Sequence, residues 1–81
     1  MARVTFSRRV LKRDILREAK VLKIAPGSAA AIADIVVEMV AKWADGRGEI
    51  TEKDLDRVVA EKIRPYSADL AYVFKERDKI I

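Results

Sequence analysis

Apolar residues recur at helical spacing through most of this chain, and Ser, Pro and Gly punctuate the periodic stretches. Leu11, Ile15, Ala19 and Leu22 are spaced by four, four and three, so they share one face of a helix predicted over 8–23. Ser7 stands where an N-cap is needed. Residues 1–7 read as a lead-in, with Arg3 to Phe6 extended and Val4 and Phe6 on one side.

Ala25-Pro26-Gly27-Ser28 interrupts the pattern. Pro26 disfavours helix at Ala25, and Ser28 is a good cap, so a second helix is predicted over 28–45. Its polar residues reduce to one thin line, Asp34, Glu38, Lys42 and Asp45. The other positions are mainly Ala, Ile, Val, Met and Trp43, which predicts a central helix surrounded on most sides. Gly46 is suited to end it as the C′ residue, and Glu49-Ile50 reads as a short extended link. Thr51 with Asp54 resembles a capping box for a third helix over 52–63, burying Leu55, Val58, Val59 and Ile63. Pro65 stops it, and Ser67 caps a fourth helix over 67–79, with apolar Leu70, Val73 and Phe74 and with Ile80 or Ile81 beyond. The pattern predicts an all-α fold: a single, compact four-helix domain. At 81 residues it lies near the lower limit for a self-sufficient core.

Charge changes this picture more than composition does. The formal net charge is +4, but residues 1–24 hold eight bases and two acids, and the remainder nine bases and eleven acids. The first third is a basic segment on a nearly neutral body, and such a segment attracts polyanions. Arg9, Arg13, Arg17 and Lys20 repeat the four, four, three spacing on a face other than the apolar one, with Arg8 and Lys12 beside them. A solvated helix face usually mixes signs, whereas this ridge does not, so a phosphate-contacting surface is the sharper reading. Asn, Gln and Cys are all absent beside abundant Lys, Arg and Glu, the compositional mark of a hyperthermophile protein.

With no His and no Cys, Ser–His and Cys–His catalysis, thiolate metal sites, iron–sulfur clusters and disulfides cannot be built. The acid pairs Asp34/Glu38 and Asp54/Asp56 read as solvated faces, Thr51 and Ser67 as caps, and GxxxxGK[ST] is missing. The chain is expected to be no enzyme and to need no cofactor or metal. Trp43 and Phe74 read as packing residues, while Tyr66 and Tyr72 could sit half exposed. No apolar run is long enough to span a membrane, and the N-terminus lacks the stretch of a signal peptide, which points to the cytoplasm.

Two resemblances follow from specific residues. Ile15-Leu16-Arg17-Glu18-Ala19, then Ile24 and Ala29-Ala30-Ala31-Ile32-Ala33, is similar to the start of archaeal histones. Gly46-Arg47 with Ile50-Thr51 and Asp54-Leu55 resembles the second loop and third helix of that family. The resemblance implies a histone-type fold over about residues 10–60 and nonspecific binding of double-stranded DNA by a small, nucleoid-associated chromatin protein. It also implies a structural clamp between Arg47 and Asp54. The expected DNA contacts are Arg8, Arg9, Lys12, Arg13, Arg17, Lys20, Lys23 and Arg47. Ile50-Thr51, Lys53-Asp54-Leu55, Val58-Val59, Glu61-Lys62-Ile63 and Ala71-Tyr72-Val73 are similar instead to the C-terminal helices of the ATP-cone domain. That implies a nucleotide-sensing regulatory module. A protein-interaction module with a basic face is the third reading. Because the second helix is apolar nearly all round, a homodimer is expected, with Ile35, Met39 and Trp43 near its interface.

Overall fold

A computed structural model describes residues 4–77. The described residues form four helices: α1 Arg8–Val21, α2 Pro26–Ala44, α3 Glu52–Ile63 and α4 Ala68–Lys75. The fold is all-α. Its radius of gyration is 11.9 Å, against about 12 Å for a compact chain of this length.

Three of the four caps work as their residue types predict. Ser7 Oγ accepts the backbone N–H of Val10, Thr51 Oγ1 that of Asp54, and Ser67 Oγ that of Leu70. The second helix departs from expectation. Ser28 is not its cap; Ala25 is, without a side-chain hydrogen bond, and Pro26 occupies the first turn. Proline is at home there because its missing N–H would have no helical acceptor and its φ is already helical.

The helix ends also differ from the expected ones. α1 stops at Val21 because Leu22 to Ile24 form a Schellman turn: the Ile24 N–H donates to the Ala19 carbonyl (2.9 Å) and the Lys23 N–H to that of Lys20 (3.0 Å). The residue in the left-handed position is Lys23, at φ 61°. After α2 the turn is of a different kind: Asp45 is extended (φ −63°, ψ 130°), Gly46 takes φ 81°, and the Arg47 N–H donates to the Ala44 carbonyl (3.1 Å), a type II turn with glycine where a positive φ is required. α4 ends at Lys75 with Glu76 as C-cap, earlier than predicted; Ile80 and Ile81 lie outside the described residues.

α1 and α2 form one helix pair and α3 and α4 a second, with α2 packed on α3 and α1 touching α4. The core is filled by Leu11, Ile15 and Ala19 of α1, by Ala33, Val36 and Val40 of α2, and by Val59, Ile63, Leu70 and Phe74 of α3 and α4. Leu22 and Leu55, expected in the core, pack against it half-buried. Asp56, expected on a solvated face, is buried, since it shares an arc of α3 with Val59, Ala60 and Ile63. Nor is α2 surrounded. Ile35 is 42% exposed and Met39 half-buried, leaving an apolar strip that none of the described helices fully covers. Ahead of α1, Ser7 is extended (φ −135°, ψ 121°) and the Val4 N–H donates to the Ile50 carbonyl (2.9 Å); residues 1–3 of the predicted lead-in lie outside the described residues.

Candidate nucleic-acid interface

Burial of Leu11, Ile15 and Ala19 fixes the rotation of α1 and so decides where its bases point. At 3.6 residues per turn, Arg9, Arg13, Arg17 and Lys20 fall within an arc of about 80°, centred about 160° from the buried stripe. All four are exposed. With a rise of 1.5 Å per residue, their attachment points span about 16 Å of helix axis.

The two edges of this ridge meet different neighbours. Toward α2, Arg8 Nε donates to Glu38 Oε2 (2.9 Å) and Lys12 Nζ lies 2.8 Å from Asp34 Oδ1. The partner number falls by four as the α1 number rises by four, so these two rungs show α1 and α2 to be antiparallel. Both pairs are exposed and worth under about 1 kcal/mol each, yet they place Arg8 and Lys12 against acids of their own chain. Toward α4, Asp14 gathers three guanidiniums. Arg17 Nη2 lies 3.1 Å and Arg13 Nε 3.9 Å from its Oδ1, and Arg77 Nη2 lies 4.0 Å from its Oδ2. The Arg77 guanidinium also lies over the Phe74 ring, 5.0 Å from its centroid.

The ends of the ridge carry the remaining expected contacts. Lys23 is exposed in the Schellman turn beyond Lys20. Beside the start of α1, a cleft is lined by Phe6, Arg8, Lys42 and Arg47, with Asp45 and Glu49 on the same walls. Arg47 thus reaches the basic surface, but the expected clamp is absent: Arg47 and Asp54 form no ion pair. Arg47 instead donates from Nε to the Trp43 carbonyl (3.0 Å) and lies over the indole, 4.7 Å from the ring centroid. The left-handed Gly46 turns the chain back, so that Arg47 meets the residue one helical turn before it. Asp54 sits in the first turn of α3, where a carboxylate is favoured by the free N–H groups.

Sequence reasoning missed Lys42 and Arg77. Lys42 was legible as the next rung of the α2 polar line after Glu38. Arg77 had no local signal, because only the docking of α4 against α1 brings it to Asp14.

No protein-family model, curated protein or solved structure matches this chain. What the surface can do therefore rests on its charges. Among the described residues, no three Asp or Glu side chains gather as a metal site, and no helix is long and apolar enough to cross a membrane. The groove between α3 and α4 mixes Lys53, Arg57, Arg64 and Lys75 with Asp54, Asp56 and Glu61. Such a surface binds neither sign strongly. The α1 ridge differs, since its bases lie in line and Asp14 and half-buried Glu18 are the only acids of that helix.

Proposed function

We propose that the protein binds double-stranded DNA without catalysis and without sequence preference, as a small histone-like, nucleoid-associated chromatin protein. The observation that carries this reading is the outward ridge Arg9, Arg13, Arg17 and Lys20, exposed along one line and only partly balanced by Asp14. Lys23 and Arg47 extend it at its two ends, while Arg8 and Lys12 exchange Glu38 and Asp34 for phosphates only at the cost of their own pairs. Contacts of this kind fix register on the backbone and read no bases. The chain also has no Asn or Gln for the bidentate reading of adenine.

A ridge about 16 Å long favours a polymer over a mononucleotide. One strand of a duplex places about five phosphates along that length, from its rise of 3.4 Å per phosphate. The reading includes a homodimer that covers Ile35, Met39 and the half-buried Trp43, because apolar area removed from water returns about 25 cal/mol per Å².

Fluorescence anisotropy of a labelled duplex at 100 mM salt tests the function, with ATP titrated in parallel. Duplexes of different sequence are expected to bind alike, and Arg13→Ala/Arg17→Ala to weaken all of them. Saturable ATP binding without duplex binding would favour the nucleotide-sensing module instead, and binding that ignores the double substitution would remove the ridge from the site.

A further inference from the structure

At Asp14, three guanidiniums from two distant parts of the chain converge on a single carboxylate. Its side chain is 18% exposed, set back between the ridge and α4. It cannot offset more than one of the three charges. Arg77, at 27% exposure, is the most restrained of the three arginines: the Phe74 ring supports one face of its guanidinium, and Asp14 lies at its edge. Arg13 and Arg17 stand one turn apart on α1 and reach the same carboxylate from the open side. The result is a group of forked donors, partly held in place before any ligand arrives, whose positive charge exceeds that of Asp14.

We propose that the α1–α4 junction is a phosphate clamp, in which Arg77 contacts a further phosphate of the nucleic-acid backbone, next to those held by Arg13 and Arg17, while Asp14 acts as a positioning residue. This rests on the proposed DNA reading and adds to it a partner site outside α1. A guanidinium matches phosphate with two parallel N–H donors, and a planar group already stacked and paired loses less freedom on binding than a free lysine. The clamp also gives the ridge a fixed side. A backbone lying along Arg9 to Lys20 leans toward α4, where the arginines exceed their acid, and away from α2, where Arg8 and Lys12 are matched one to one by Glu38 and Asp34.

The test compares Arg77→Gln with Arg64→Gln in titrations of a labelled duplex. Both remove one positive charge, but Arg64 caps α3 beside the mixed-sign groove. Loss of one phosphate contact lowers affinity about 8-fold at 0.1 M salt, from the counterion dependence of about 0.9 per contact. Arg77→Gln is expected to show that loss, and Arg64→Gln to stay within about 2-fold of wild type as a surface charge far from the contact. Equal effects of the two substitutions, with wild-type binding intact, would overturn the clamp and leave the ridge standing. Absence of wild-type duplex binding would overturn the DNA reading and the clamp with it. Should Arg77→Gln fail to fold by circular dichroism, Arg77→Lys carries the test. It keeps the charge and loses the fork, so weaker binding at an unchanged salt slope supports the clamp and unchanged affinity contradicts it.

Discussion

Lys23 holds the left-handed position of a Schellman turn where glycine is the usual occupant. A residue with a Cβ is strained there, by about 1–2 kcal/mol in the left-handed region. Lys23→Gly is therefore expected to stabilise the fold by up to about 1 kcal/mol once the extra freedom of unfolded glycine is set against that relief. The corresponding rise in Tm is about 4–8 °C for a domain of this size, measured by thermal circular dichroism. The same substitution removes a base at the end of the ridge and is expected to weaken duplex binding, so stability and binding separate at one residue. Asp54 supplies a second residue-scale test. Without an Arg47 partner, its contribution is that of a carboxylate in a helix first turn, about 0.3–1 kcal/mol. Asp54→Ala lowers Tm by a few degrees at most and leaves Arg47 over Trp43. A change in Trp43 fluorescence on Asp54→Ala would restore the clamp.

At the scale of the element, the hairpin of α1 and α2 depends on small residues. Ala19 of α1 and Ala33 of α2 are fully buried, which lets the helices approach closely. Ala33→Leu overfills that seam and is expected to cost about 1–3 kcal/mol, whereas Ile15→Ala empties the core and costs about 2–5 kcal/mol. The ion-paired rungs Arg8–Glu38 and Lys12–Asp34 set the relative register of the two helices but add little. Chemical denaturation of the four single variants checks the order: Ile15→Ala and Ala33→Leu large, Glu38→Ala and Asp34→Ala small. This is also where the sequence was most readable. All four helices, the Ser7, Thr51 and Ser67 caps and the Gly46 turn follow from periodicity and local chemistry, because each is decided within a few residues. The start of α2 was misread because Pro26 and Ser28 offered competing local signals. The early end of α1 was missed because a lysine at the C′ position carries no mark. Asp56 was misplaced because the packing of α3 within the fold, rather than its sequence neighbours, decides that its arc is buried, and Arg47 because the turn at Gly46 returns it to Trp43, four residues earlier, instead of forward to Asp54.

At the scale of the molecule, two features lie on different surfaces, the basic ridge of α1 and the apolar strip of α2. Part of each was visible as spacing, but which neighbours neutralise or cover them was not. Sedimentation at micromolar concentration is expected to give a homodimer, and Ile35→Glu, a charge placed on the strip, to give a 9.1 kDa monomer that is still helical. A wild-type monomer would leave the strip without a partner of its own kind. The ridge is tested most directly by the salt dependence of duplex affinity. Four phosphate contacts predict a slope of log affinity against log salt near −3.6, from about −0.9 per contact, and near twice that where both protomers engage one duplex. Arg77 adds about −0.9 per chain if the clamp closes, and Arg13→Ala/Arg17→Ala removes about 1.8 from the slope. A slope near zero, or one that the double substitution leaves unchanged, would contradict the ridge as a DNA-binding surface.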